Sequence, residues 1–230
     1  TDFSLKKKLI KSVTGGAFRN NSKKSFVKAL DSINLSVKPG EKIALIGHNG
    51  SGKTSFIRLI SGIYRPTSGC FKTSVSVYPM IQRSFIVEEE LTGVESAKAH
   101  YLMMYNSLKG FQEFLEDITD FSGLGDFIYL PLKTYSEGMS SRLMFAILTS
   151  KHHECLALDE GLGTGDKYFY KKAQDRLNSF LNKSGSLFIA SHSTELLRKF
   201  CLRGIVFSGG KLIFDGEIDE ALTFYDEYSH

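Results

Sequence analysis

No apolar stretch in this chain is long enough to cross a bilayer. The longest purely apolar run is Leu143 to Leu148, far short of the ~20 residues that a spanning helix needs. The opening segment, Thr1-Asp2-Phe3-Ser4-Leu5-Lys6-Lys7-Lys8, lacks the apolar core and small-residue cleavage site of a secretory signal. Cysteine is scarce: Cys70, Cys155 and Cys201 are scattered, odd in number and without zinc-ligand or CxxC spacing. Reduced thiols in a cytosolic protein are the simplest account. Internal repeats, low-complexity tracts and long heptad runs are also missing, which sets aside solenoids, disordered linkers and coiled coils. What remains is 230 residues with 42% hydrophobic and 23% charged content, the composition of a soluble globular protein.

Acidic residues are nearly absent from the first 28 positions. Lys6, Lys7, Lys8, Lys11, Arg19, Lys23, Lys24 and Lys28 stand there against the single acid Asp2. Phe3, Leu5, Leu9 and Val13 recur near helical spacing among those lysines. A basic amphipathic helix resting on an anionic membrane has this pattern, and so has a solvated helix with one packed face. No reading motif or aromatic–basic interleaving accompanies the charge, so nucleic acid is not an expected partner.

The chemistry concentrates in Gly47-His48-Asn49-Gly50-Ser51-Gly52-Lys53-Thr54, which fits the phosphate-loop pattern G-x-x-x-x-G-K-[ST]. Lys42 to Ile46 before it is a short apolar run that predicts a buried strand, and Ser55 to Ser61 after it can continue a helix. The glycines let backbone N–H groups turn inward, and the helix start adds partial positive charge. Lys53 is expected on the terminal phosphates of a nucleoside triphosphate and the Thr54 hydroxyl on Mg²⁺.

Alternation in Ser32 to Val37 predicts a half-buried strand, ended by a turn at Pro39-Gly40. Short β-like runs are expected between Gly69 and Val77, two or three helices over Leu91 to Phe121, and a helix over Gly138 to Ser150. Strand and helix then alternate: Cys155–Leu158, Tyr168–Leu181, Leu187–Ala190, Thr194–Phe200. A hairpin follows around Ser208-Gly209-Gly210, then a helix over Asp219–Tyr228. Such alternation predicts a largely parallel sheet covered on both faces.

In a parallel sheet, ligands gather at the carboxyl ends of strands. Asp159 and Glu160 follow one predicted strand directly, so Asp159 is the expected metal residue and Glu160 the expected general base. His192 follows the next strand, where it can bond the terminal phosphate or hold base and water in place. Gln82 follows the small β region, where its amide can contact Mg²⁺ and the water. Ser136 precedes Glu137, Gly138 and Met139 at a predicted helix start, a capping box or a second anion site.

Taken in order, these segments resemble the nucleotide-binding subunit of ATP-binding cassette (ABC) transporters over nearly the whole chain. They are Gly47–Thr54, Gln82, Ser136–Met139, Leu156–Asp159 with Glu160, Gly161–Asp166 and His192. More narrowly the chain resembles the cassettes that export O-antigen, capsule or teichoic acid, through the segments 121–128, 133–139 and 159–166. The resemblance implies an α/β fold of the P-loop NTPase class: a single ABC-type nucleotide-binding domain over 1–230 with a mainly parallel core sheet, a small antiparallel β region and an α-helical subdomain over about 91–150. The basic segment 1–25 would lie at the membrane surface. ATP and Mg²⁺ would be bound by Gly47 through Ser55, Gln82 and Asp159, with Phe26, or else Phe18, stacking on adenine. Ser136–Met139 would close over ATP from a second copy. A transmembrane permease in another polypeptide would carry a lipid-linked polysaccharide across the cytoplasmic membrane. Two positions depart from the general signature Leu-Ser-Gly-Gly-Gln: Glu137 stands third and Met139 fifth. The alternatives are another transporter cassette, importer included, or a soluble cassette ATPase.

Overall fold

The computed structural model describes residues 17–21, 24–81, 88–159 and 169–229. In chain order the elements are β1 (Ala17–Asn21), β2 (Lys24–Lys28), β3 (Lys42–Ile46), α1 (Lys53–Ile60), β4 (Val77–Ile81), α2 (Gly93–Tyr105), α3 (Phe111–Ser122) and α4 (Glu137–Thr149). There follow β5 (Cys155–Asp159), α5 (Tyr170–Lys183), β6 (Ser186–Ala190), α6 (Thr194–Phe200), β7 (Arg203–Ser208), β8 (Lys211–Glu217) and α7 (Ile218–Ser229). They fall into two compact units, one holding the described residues of Thr1–Met80, His153–Glu160 and Ser184–His230, the other those of Ile81–His152 and Gly161–Lys183.

The first unit is built on a six-stranded sheet of order β4-β5-β6-β3-β7-β8. β3 pairs in parallel with β6 and β7, β5 pairs in parallel with β6, and β8 turns back antiparallel on β7. The central strands Lys-Ile-Ala-Leu-Ile, Cys-Leu-Ala-Leu-Asp and Ser-Leu-Phe-Ile-Ala are continuous rather than alternating, because both faces are covered. Phe56 of α1 packs on Phe188 and Phe207 with ring centroids 6.0 and 5.3 Å away. β1 and β2 form a separate antiparallel pair.

The second unit is helical. Phe121, Phe145 and Phe169 cluster with ring centroids 5.1–6.3 Å apart, Phe169 edge-on to the other two. Arg176 of α5 lies over Phe121 at 4.2 Å, donates to Thr149 Oγ1 and forks onto Asp117. Two caps fix helix starts: Thr92 and Glu95 bond reciprocally at α2, and Ser136 caps α4.

Two expectations fail. Ser32 to Val37 forms no strand. Its side chains do alternate, Ile33, Leu35 and Val37 half-buried between exposed neighbours, but Ser36 O is taken by Arg203 Nη1 at 3.1 Å instead of a ladder. Between Gly69 and Val77 there is only turn and coil, and the β structure is confined to β4, an edge strand of the sheet that accommodates Pro79. The basic segment before Ala17 lies outside the described residues.

Candidate nucleotide site

The phosphate loop grows out of buried β3, and its shape is imposed by glycine. Gly47 has φ 149°, and a Cβ there would meet Phe207 O at 2.4 Å and Ser51 Oγ at 2.7 Å. Gly52, at φ 116°, caps α1 without any side-chain bond, and no acid stands in the first turn. The first N–H groups of α1 are therefore left for an anion. Lys53, buried at 8% exposure, folds back so that its ammonium donates to Gly47 O at 2.5 Å and His48 O at 3.2 Å. His48, Asn49 and Gly50 are exposed, Thr54 and Ser55 half-buried. Ser51 Oγ is buried with no hydrogen-bond partner among the described residues, an orphan that an added polar ligand can satisfy.

Strand register brings the other groups to the same edge. Leu45 is paired with Ala190, and Ala190 with Asp159, so the three form one row across adjacent parallel strands. At ~4.8 Å per strand, Asp159 stands about 10 Å from Leu45. Gly47 follows Leu45 by two residues, and His192 follows Ala190 by two. Asp159 is 8% exposed, a buried carboxylate at a carboxyl strand end. His192 is exposed, between Ser191, whose Oγ accepts from Ser193 N, and Ser193, which caps α6 by accepting from Leu196 N.

Thr54 and Asp159 offer the hard oxygen donors that Mg²⁺ prefers. No cluster of three or more His, Cys, Asp or Glu occurs among the described residues, and an ion held by Thr54 and Asp159 has coordination positions left for phosphate and water. The donor set fits that ion.

In the helical unit, Ser136 Oγ accepts from Met139 N at 3.2 Å, while Ser136 and Glu137 are exposed. A Cβ on Gly138 would come no nearer than 3.9 Å to Ser136 Oγ, leaving the helix start open. Gln82, Glu160 and Gly161–Asp166 lie outside the described residues. So does the side chain of Phe26, whose backbone on β2 pairs opposite Arg19. Phe18 sits on β1 opposite Val27.

Residues 30–163 match the family model described as ABC transporter. This chain belongs to the ABC transporter family. The cassette is 36% identical over 217 residues to the O-antigen export system ATP-binding protein RfbE of Yersinia enterocolitica, covering 94% of this chain and 90% of that one. It is 35% identical to the teichoic acids export ATP-binding protein TagH of Staphylococcus epidermidis, over 90% of this chain and 78% of the relative. A TagH of Bacillus anthracis is 36% identical, but the cassette spans only 36% of its length. Among solved structures, an ATP-binding subunit of an ABC transporter has TM-score 0.67 at 19% identity, covering 91% and 90% of the two chains. A dimeric post-hydrolysis cassette bound to ADP and Pi has TM-score 0.65 at 18% identity, covering 88% and 96%. The cassette fold expected from the motifs is therefore the fold observed, and ATP-binding subunits of polysaccharide export are among the homologues.

One contribution escaped the motifs. Gly210, in the β7–β8 turn, donates to Ser51 O at 2.9 Å. The only trace of it in the sequence is the Gly209-Gly210 pair, which reads as an ordinary hairpin turn.

Proposed function

We propose that this cassette is the ATP-hydrolysing subunit of a transporter that exports a cell-surface polysaccharide. The observation that carries the ATPase reading is the row Leu45, Ala190, Asp159, which sets the phosphate loop, an acid and His192 at the carboxyl ends of three adjacent strands. Similarity to the O-antigen and teichoic acid export subunits supports the choice of cargo.

In this reading the loop N–H groups of Gly47 through Thr54 and the Lys53 ammonium hold the triphosphate. Ser55 lies in the same helix turn. Thr54, Gln82 and Asp159 hold Mg²⁺, which neutralises charge on the phosphates. Glu160 takes the proton of the attacking water, and His192 bonds the terminal phosphate and keeps that water in line. Phe26 stacks on the base, with Phe18 as the alternative. Two copies pair head to tail, and Ser136, Glu137, Gly138 and Met139 of one copy cover the ATP of the other. Loss of the terminal phosphoryl removes these contacts and lets the pair open.

No helix among the described residues is long and apolar enough to cross a membrane. A separate permease supplies the path for a lipid-linked glycan, with the cassette held at the cytoplasmic face of the membrane and the basic segment 1–25 resting on its surface. Disruption of the gene is expected to abolish the surface polysaccharide and to leave lipid-linked glycan inside the cell, with rescue by the native chain but not by Lys53→Ala. Intact surface glycan with lost nutrient uptake would contradict the reading.

A further inference from the structure

We propose that Gly210 is a positioning residue for ATP binding, a backbone staple that joins the phosphate loop to the strand leading from the base side. The proposal rests on the nucleotide reading above. Three chain segments meet at this glycine. Its N–H donates to Ser51 O of the phosphate loop at 2.9 Å, and its carbonyl accepts from Asp31 N at 2.7 Å. Asp31 lies three residues beyond the end of β2, the strand that carries Phe26. The hydrogen bonds thus run in series from the loop, through the hairpin turn, to the segment after β2.

Side chains lock the outer end of this series. The Asp31 carboxylate pairs with Lys28, accepts from Ser32 Oγ at 2.9 Å, and has Lys211 at 3.8 Å. Lys211 is the residue after Gly210, so the turn is tied to the β2 side both by its backbone and by its neighbour's charge. Space at the joint is minimal. A Cβ on Gly210 would stand 2.7 Å from Ala29 O and 3.3 Å from Leu30 Cα. Gly52, which caps α1, has Ala29 O at 3.1 Å and Gly210 Cα at 3.4 Å from its own Cβ position. Any side chain at 210 must displace either the turn, which makes both bonds of the staple, or the 29–31 segment, which makes one of them. A phosphate cradle made of N–H groups acts only while those groups converge, so displacement of a few tenths of an ångström weakens it.

Gly210 also has φ +79°, where any L residue is strained. Gly40 separates that strain from the proposed role. Its φ is +85°, and a Cβ there would meet nothing within 4 Å.

The test compares Gly210→Ala, Asp31→Ala and Gly40→Ala in the full chain. Equilibrium affinity for Mg·ATP is measured well below each melting transition, and each transition is recorded without nucleotide. Gly210→Ala is expected to weaken ATP binding about tenfold or more and Asp31→Ala about threefold, while Gly40→Ala stays within about twofold of the native chain although its melting temperature falls. Gly210→Ala binding ATP as tightly as Gly40→Ala would overturn the staple. If Gly210→Ala does not fold, native affinity in Asp31→Ala overturns it and a loss in Asp31→Ala supports it. A native chain that binds no Mg·ATP removes the nucleotide reading itself, which a defect confined to the variants does not.

Discussion

At the scale of single residues, the site is a problem of space and charge. Gly47 has no room for a methyl group, since Phe207 O stands 2.4 Å from the Cβ position. Gly47→Ala should therefore cost about 3 kcal/mol of stability, read as a lower denaturation midpoint at unchanged denaturant slope. Lys53 is different in kind. Its ammonium donates to Gly47 O and His48 O of its own loop, so its removal gives up those two bonds and, far more heavily, the anion site. Lys53→Ala is expected to lower the melting temperature by only a few degrees and to weaken ATP binding about a hundredfold, as measured by titration with a fluorescent ATP analogue. Affinity within a few-fold of native would remove Lys53 from phosphate binding.

At the scale of elements, the helical unit carries a buried titratable group. His100 of α2 is 5% exposed, and burial lowers its pKa from 6.5 to about 4. The unfolded chain takes up a proton as pH falls through 6.5, whereas the folded chain resists until about 4, so stability is full above 6.5 and is lost progressively down to 4. Between pH 7 and pH 5 the loss should be about 2 kcal/mol. His100→Phe should flatten this part of the curve, and an unchanged slope in urea titrations across that range would refute the assignment. At α4, Ser136 combines a cap with its place in the signature. Ser136→Ala and Thr92→Ala should each cost about 1 kcal/mol, but only Ser136→Ala should also slow ATP turnover at saturating nucleotide. Equal turnover in the two variants would reduce Ser136 to a cap.

β3, β5 and β6 were readable because strands buried on both faces are short continuous apolar runs with few other uses. The segment 32–37 misled because alternation reports side-chain burial, and burial of Ile33, Leu35 and Val37 is achieved there without a ladder partner. The phosphate loop was legible from spacing, since its chemistry depends on glycines at fixed positions. The staple at Gly210 was not, because it depends on a strand register that joins residues far apart in the chain and on backbone atoms that every residue possesses.

At the scale of the whole molecule, the family membership and the proposed mechanism make one demand that neither unit meets alone. The loop at 47–54 belongs to one compact unit and Ser136–Met139 to the other. In the proposed assembly, the ATP on one copy is completed by the signature of a second. Glu137 brings a negative charge to that seam, in the first turn of α4, and its repulsion from triphosphate subtracts from the attraction that holds the pair. The direct test is sedimentation of Glu160→Gln at micromolar concentration, with and without Mg·ATP. The account predicts a monomer without nucleotide and a stable dimer holding two ATP molecules with it, reversed by adding Ser136→Arg. A Glu160→Gln chain that binds ATP and remains monomeric, alone and with its permease, would contradict it.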